Sequence, residues 1–183
     1  FGKKACLIAG ALAWAFFQTL PVVLRLLGWF PENNDILTFA STETNLVMIL
    51  LILIKLFQGF VTAQANVGYG SMIADVCDEH EYLTGRRQEG AFFAAVSFSA
   101  KATSGFGTVI AGLGLELIKW PTGSNIRTAA DVPPETIIDL GLFYGPFIAA
   151  LGFISVWFYT QYRLTPSQHA EMLVELQKRG TAS

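Results

Sequence analysis

Four apolar segments dominate this sequence, and each is long enough to cross a lipid bilayer as a single helix. A helix needs roughly 20 apolar residues to span about 30 Å of hydrocarbon, and such stretches lie at about 5–29, 45–74, 90–118 and 137–162. Only 14% of the 183 residues are charged, whereas about a quarter are charged in a typical soluble domain. The sequence therefore predicts an all-α membrane protein with four transmembrane helices.

Lysine and arginine are distributed unevenly around these segments. Four spans place both ends of the chain, together with the polar connector 75–89, on one side of the membrane. That side holds the larger number of basic residues, and cytoplasmic flanks carry such an excess, so both ends are predicted to be cytoplasmic. The basic residues on that side are Lys3, Lys4, Arg86, Arg87, Arg163, Lys178 and Arg179, and those on the other are Arg25, Lys119 and Arg127.

The segment 164–183 begins with a helix-capping pattern. Thr165 suits the N-cap, Pro166 the first helical position, and Gln168 the third position of a capping box. Met172 and Leu176 then share one helical face. We predict a short amphipathic cytoplasmic helix that lies on the membrane or on the helix bundle, with a merely solubilising tail as the alternative.

Composition also restricts the partners and cofactors. The net charge of -2 and the pI near 5.7 argue against a nucleic-acid partner, because such domains usually have a pI above about 9. Cys6 and Cys77 lie too far apart in the sequence to suggest a disulfide framework or a paired-cysteine zinc site, and no cofactor or bound metal is predicted. Because the chain starts at Phe1 rather than Met, we interpret it as part of a longer protein, whose other helices and the lipid bilayer are its expected partners.

A lysine in the third apolar segment is the most informative single residue. Lys101 lies about eleven residues into the segment, roughly 16 Å from its start, and a charge at that depth is costly and usually retained for an ion or solute pathway. Its neighbours on the same helical face are mostly small or polar, which favours contact with other helices or a watery cavity. They are Ala94, Ser97, Phe98, Ser104, Gly105 and Thr108. The alternative is a structural ion pair, and its acid is expected on a helix outside these four segments.

A polar stripe runs along the second apolar segment at spacings of three and four residues. Such a stripe either lines a permeation path or holds helices together. Its members are Lys55, Gln58, Gly59, Thr62, Asn66 and Tyr69. For Lys55 a second interpretation is equally supported, because its long stem could carry the ammonium group to the membrane interface.

The connector between the second and third segments carries both signs of charge. An enzyme interpretation would use Cys77, Asp78, His80 and Glu81 as metal ligands or as an acid and base. A zinc site needs four ligands, and the sequence lacks the other half. We therefore favour a charge network in which Asp75, Asp78 and Glu89 face Arg86, Arg87 or basic residues of a partner domain, since such networks hold a conformation when paired and release it when broken.

This connector and the lysine that follows it resemble a known family signature. The pattern consists of Ser71-Met72-Ile73-Ala74-Asp75, Asp78, Glu81, Thr84-Gly85-Arg86-Arg87, Glu89-Gly90 and then Lys101. It is similar to that of the glycoside-pentoside-hexuronide:cation symporters, which include the melibiose carrier and belong to the major facilitator superfamily. By this resemblance, residues 1–163 are helices nine to twelve of a twelve-helix fold and 164–183 are its tail helix.

The resemblance implies symport of a sugar or glycoside, driven by a sodium or proton gradient, by alternating access in a bacterial inner membrane. The coupling cation would be a co-substrate. Lys101 would lie beside the cation site, and Asn66 and Ser97 would face the sugar, with Lys55, Gln58 and Thr62 along the same pathway. The cytoplasmic gate would comprise Asp75, Asp78, Glu81, Arg86, Arg87 and Glu89.

Three alternatives remain at this point. A four-helix membrane scaffold that binds a partner without moving solute would be favoured by a start codon just before Phe1, and excluded by about eight further spans upstream. A membrane enzyme would contain metal bound at the connector. A lysolipid carrier of the same superfamily branch would differ only in its substrate.

Overall fold

The computed structural model describes residues 2–31, 35–39, 42–122 and 132–181. Within them the chain is mostly helical, and one two-stranded β-hairpin follows the first helix. The elements are α1 Lys3–Leu26, β1 Ile36–Phe39, β2 Thr42–Asn45, α2 Leu46–Thr84, α3 Glu89–Leu117, α4 Pro134–Leu142, a π-helix Phe143–Phe147, α5 Ile148–Thr160 and α6 Pro166–Thr181. Arg127, which contributed to the predicted orientation, lies outside the described residues.

Three helical segments of the described chain are long and apolar enough to cross a membrane. They are α1, α2 and the continuous segment Pro134–Thr160, which is formed by α4, the π-helix and α5. The third predicted span corresponds to α3, whose 29 residues exceed the roughly 20 that a span needs. α3 is less apolar than the other three segments, because Lys101 and its small polar neighbours lower its mean hydropathy.

α2 extends well beyond its predicted span. Its 39 residues make a helix about 58 Å long. The Asn45 side chain caps its start by accepting from the backbone N–H groups of Val47 and Met48 at 2.9 and 3.4 Å. Gly85 ends it with a φ of 69°, a left-handed conformation that glycine adopts without a Cβ clash. The connector predicted at 75–89 is thus helical as far as Thr84, because nothing before Gly85 breaks the helix.

The last apolar segment is not a regular α-helix along its whole length. A π-helix of five residues, Phe143–Phe147, separates α4 from α5. It contains Pro146, which lacks the N–H that a regular helix would use at that position. The predicted span 137–162 is therefore two helices joined by an irregular turn.

A β-hairpin, which the sequence did not predict, occupies the connection between α1 and α2 of this mostly helical chain. β1 and β2 pair antiparallel, with Ile36 opposite Asn45 and Thr38 opposite Glu43. β-branched residues are frequent in both strands, and such residues favour extended backbone. We call this end of the molecule the hairpin end, and the opposite end, which carries Lys3 and α6, the tail end.

α1 lies between α2 and α5 and contacts both. Gly10 permits a close approach, because a Cβ built there would lie only 2.7 Å from Ala65 Cβ on α2. Leu7, Ala15 and Ala149 are buried nearby. Small residues at such contacts are typical of membrane helices, which associate through close packing.

α3 stands largely outside this packing. Within the described residues it has one buried position, Gly114, and a Cβ there would overlap the ring of Phe143. At its other end, Phe92 meets the ring of His80 edge-on with centroids 5.3 Å apart. Between these two contacts, the helix exposes most of its surface.

α6 lies on the tail end of α2, which matches one of the two predicted locations. The capping box is confirmed, because Gln168 N donates to Thr165 Oγ1 at 3.3 Å and Thr165 N donates to Gln168 Oε1 at 3.0 Å. At the far end of the helix, Arg179 donates to Tyr82 O at 3.0 Å and its guanidinium lies 5.0 Å from the centre of the Tyr82 ring.

Candidate functional site

Lys101 lies near the middle of α3 on an exposed face. Ser97, Ser104, Gly105 and Thr108 are exposed beside it. Thr108 Oγ1 donates back to Ser104 O at 3.1 Å, so that hydroxyl is satisfied within the helix. Among the described residues, no hydrogen bond or ion pair to the Lys101 ammonium is present. This cation is thus not satisfied by the part of the chain that the structure describes.

Lys55 has a quite different environment. Its ammonium donates to Gln58 Oε1 at 2.7 Å and to Gln18 Oε1 at 2.9 Å. It also lies 5.1 Å from the centre of the Tyr144 ring, within the range of a cation–π contact. The side chains of Gln18 and Gln58 are buried, at 4% and 6% exposure. The interpretation in which Lys55 reaches for the membrane interface is wrong, because these acceptors hold the ammonium between helices.

The polar stripe of α2 is divided between two surroundings. Gln58 is buried against α1, where its Nε2 donates to Gln18 Oε1 at 3.0 Å and to Trp14 O at 3.2 Å. Thr62 is half-buried and donates to Gln58 O at 2.7 Å. Asn66 is exposed. Lys55 and Gln58 therefore join α2 to α1, Thr62 bonds within α2, and Asn66, like Lys101 and Ser97, is exposed.

Two members of this polar cluster escaped the sequence analysis. Gln18 is the single amide side chain of α1, and Tyr144 precedes Pro146 in the π-helix. A lone glutamine in an apolar helix is itself a signal, because a buried amide needs partners. Its partners could not be identified from the sequence, since they are on two other helices.

A second cluster of charged groups lies at the tail end. Asp75 is 7% exposed and accepts from the Lys3 ammonium through both carboxylate oxygens, at 2.8 and 2.9 Å. His169 of α6 places Nε2 3.0 Å from Asp78 Oδ2 and 3.5 Å from Asp75 Oδ1. The predicted pairing of these acids with Arg86 or Arg87 is not what the structure shows, because α1 and α6 pack on this end of α2 and supply the nearest basic groups.

Tyr162 joins the same cluster, with its hydroxyl 3.5 Å from Asp75 Oδ2. Burial and the negative charge of Asp75 raise the pKa of Tyr162 to about 12. Lys4 donates to the carbonyl oxygens of Thr160 and Tyr162, each at 2.8 Å, and so completes the end of α5. The tail end is therefore closed by contacts among α1, α2, α5 and α6.

The remaining gate residues lie around the turn between α2 and α3. Arg87 pairs with Glu81 at 3.3 Å and with Glu89, and these acids raise its pKa, the hydrogen bond that Arg87 donates to Glu89 being the largest cause. Arg86 is exposed. The Glu89 pairing fits the predicted network, whereas Glu81 replaces the expected aspartates as the other partner of Arg87.

The residues of the enzyme interpretation do not converge. His80 packs on Phe92, and Asp78 turns toward His169. Within the described ranges, no group of three or more His, Cys, Asp or Glu side chains is arranged to hold a metal ion.

Apolar helices long enough to span a membrane, with polar and charged side chains gathered between them, define a multi-pass membrane protein. Residues 1–166 match the family described as MFS/sugar transport protein. The chain belongs to this family, whose description is that of a transporter and not of an enzyme. It is also 24% identical over 110 residues to a Bacillus subtilis (strain 168) protein named as the uncharacterized symporter YjmB.

That similarity covers 60% of this chain and 23% of the relative. The chain thus spans less than a quarter of the length of the curated relative that it matches. No solved structure is significantly similar to the chain.

Proposed function

We propose that this chain forms part of a cation-coupled symporter that moves a sugar or glycoside by alternating access. The match to a sugar-transport family supports the substrate class, and the relative named as a symporter supports coupling to an ion. The connector signature and its spacing to Lys101 favour the melibiose-carrier-like branch, and sodium or protons as the driving ion.

The observation that carries the proposal is the environment of the Lys101 ammonium. An ammonium near the middle of a long helix, on a face of serine, threonine and glycine, has no partner within the described chain. Such a charge is too costly to leave against lipid. We propose that α3 is a fourth membrane span, that its polar face lines the solute pathway, and that Lys101 lies beside the cation site, with Ser97 and Asn66 near the sugar.

The tail end is assigned to the cytoplasm in this proposal. The excess of lysine and arginine at that end supports the orientation. Asp75, Asp78, Glu81, Arg86, Arg87 and Glu89 would then belong to a cytoplasmic gate. In the bacterial inner membrane, ion pairs such as Arg87 with Glu89 would form and break as the gate closes and opens.

Uptake by the full-length protein in proteoliposomes tests the proposal. Radiolabelled glycosides, pentosides and hexuronides, and one lysophospholipid, are offered under an inward sodium gradient, an inward proton gradient, or neither. We expect accumulation of at least one sugar with one gradient, and none after an ionophore dissipates that gradient. Equal entry in all three conditions would contradict coupling, and accumulation of the lysophospholipid alone would contradict the sugar assignment.

A further inference from the structure

Two polar contacts attach α6 to the tail end of α2. Near the start of α6, the His169 ring contacts the carboxylates of Asp75 and Asp78. Near its end, Arg179 donates to Tyr82 O and its guanidinium lies over the Tyr82 ring. None of the described residues of α6 is buried. Polar contacts therefore contribute much of what holds this helix in place.

The two contacts differ in how permanent their positive charge is. The guanidinium of Arg179 stays protonated at any pH that a cell reaches. Histidine, by contrast, is the side chain whose charge ordinarily changes between about pH 5 and pH 8. A change of pH in that range can therefore alter the contact of His169 and leave that of Arg179 intact.

His169 lies between two carboxylates that are unequally neutralised. Its Nε2 is 3.0 Å from Asp78 Oδ2 and 3.5 Å from Asp75 Oδ1. Asp75 already accepts from the Lys3 ammonium through both oxygens. Within the described ranges, Asp78 has no ion pair with a lysine or an arginine, and His169 is the basic side chain at its oxygen. Protonation of His169 would thus give Asp78 its counter-charge.

The other charged groups around this contact leave one positive charge missing. They lie on α1 and α2, and together with the two aspartates they are Lys3, Lys4, Asp75, Asp78 and Glu79. The Tyr162 hydroxyl stays neutral near pH 7, because burial and the charge of Asp75 raise its pKa to about 12. Arg87, which Asp78 attracts from farther away, is paired with Glu81 and Glu89. Two positive charges thus face three negative ones, and protonated His169 balances them.

We propose that α6 is a pH-dependent latch, which protonated His169 holds on Asp75 and Asp78 and which loosens when that proton leaves. Hydrogen bonds with a charged donor are about twice as strong as those with a neutral one, so proton binding and docking of α6 favour each other. Docking is then favoured at acidic pH and lost as the pH rises. Release would free Asp78 for the cytoplasmic gate, and this consequence alone rests on the proposed function.

The test follows the position of α6 in the full-length protein, in lipid nanodiscs at about pH 5.5 and about pH 8, within the range in which histidine changes charge. Cysteines replace Leu83 of α2 and Val174 of α6, which are 72% and 52% exposed, in a background with Cys6 and Cys77 changed to serine. Electron paramagnetic resonance of spin labels on the new cysteines reports the docked and released populations. We expect their ratio to fall by roughly three- to tenfold at the higher pH, within the limit of tenfold per pH unit that one proton sets.

Two variants of His169 separate its charge from its shape. His169→Gln can still donate to Asp78 but cannot be protonated, so its ratio should be the same at both pH values. His169→Lys is positively charged at both, and should keep α6 docked at both. The matched control is His80→Gln, because His80 is the other histidine of this chain and packs on Phe92. Its response to pH should equal that of the parent.

A ratio that does not change with pH in the parent would overturn the proposal. A response that persists in His169→Gln, or one that disappears in His80→Gln, would overturn it as well. If His169→Gln does not yield folded protein, Asp78→Asn serves instead: only Asp75, which Lys3 already neutralises, then faces the ring, so the response should shrink, and an undiminished one would contradict the latch. The measurement needs no solute, so its outcome is independent of the uptake test.

Discussion

Lys55 and Lys101 are both lysines within long helices, yet their surroundings are opposite. Three helices enclose Lys55, and two glutamine oxygens and an aromatic ring satisfy its ammonium. Lys101 is exposed on α3, among small side chains, with no partner inside the described chain. Both lysines lie within predicted membrane spans, so the sequence alone does not distinguish them. The structure gives them different surroundings.

The comparison teaches that depth along an apolar helix does not by itself assign a role to a charge. A lysine whose donors are taken up by neutral acceptors is committed to the packing of its own bundle. A lysine with free donors beside serine and threonine is available to a solute, an ion or another helix. We therefore assign Lys55 to the architecture and Lys101 to the proposed pathway. The first two of the four predictions below test this division, and the other two test the contacts of the tail end.

The largest effect is expected from Lys101→Ala, Lys101→Gln and Lys101→Arg in the full-length protein. If Lys101 is coupled to the cation site, the gradient-driven accumulation ratio should fall by roughly 10- to 100-fold, as expected for coupling free energies of about 1–3 kcal/mol. Lys119→Gln is the matched control, since Lys119 follows the same helix at its hairpin end. Undiminished coupled uptake in any Lys101 variant would remove the residue from the mechanism.

The converse prediction concerns stability. Lys55→Met keeps the apolar stem but leaves the buried oxygens of Gln18 and Gln58 with one donor fewer, at a cost of about 1–3 kcal/mol. The midpoint of thermal unfolding in detergent should therefore fall, whereas Lys101→Met should leave it unchanged. Equal unfolding midpoints for the two variants would contradict the assignment of a structural role to Lys55 and not to Lys101.

Asp75→Asn should have a smaller effect on stability, about 1 kcal/mol, because Lys3 on the other side of the pair is half exposed. A sharper measurement is the pKa of Tyr162. Removing the carboxylate takes away a negative charge that opposes the phenolate, so the pKa should move down from about 12 toward its ordinary value near 10. Burial, the larger cause, remains and keeps the shift incomplete.

This titration is followed by NMR of ring-labelled tyrosine, with the signal assigned by its loss in Tyr162→Phe. Since the folded pKa is raised, stability should decrease as the pH rises between about 10 and 12 in the parent protein, and over a narrower range in Asp75→Asn. A Tyr162 pKa that does not respond to Asp75→Asn would contradict the contact between the two side chains.

The smallest effect is expected from Thr165→Ala, which removes the cap of α6. Loss of an N-cap costs about 0.5–2 kcal/mol of local helix stability, so amide hydrogen exchange should accelerate in the first turn of α6. Glu171→Ala is the control, because Glu171 is exposed on the same helix beyond the capping residues. Equal exchange in both variants would mean that the capping box does not hold the helix start.

Features with a local physical cause could be predicted from the sequence. Segment length and hydropathy identified three spans, and the order of Thr165, Pro166 and Gln168 specified the start of α6. The length of α2 could also have been inferred, because the helix continues until Gly85. Pro146 indicates an irregularity in the last segment, but the hydrogen bond from Gln18 of α1 to Tyr144 O depends on how the two helices pack.

Contacts between helices could not be obtained in the same way. The sequence indicated that Asp75 needs a basic partner, but Lys3 is 72 positions away, and Arg86 and Arg87 are nearer along the chain. The short hairpin of β1 and β2 was missed because its β-branched residues lie in two strands of only four residues each, within a connector that has many turn-forming residues. In each case the deciding interaction joins elements whose mutual arrangement no periodic pattern encodes.

The most direct test of the central claim compares cysteines placed at positions 101 and 55 of the full-length protein, with Cys6 and Cys77 replaced by serine. Both are treated in membranes with a hydrophilic thiol reagent and, separately, with a lipophilic maleimide. The account predicts that position 101 reacts readily with the hydrophilic reagent, because it borders a water-accessible route, and that position 55 does not. Reaction of position 101 with the lipophilic reagent alone would place this side chain against acyl chains and contradict the assignment.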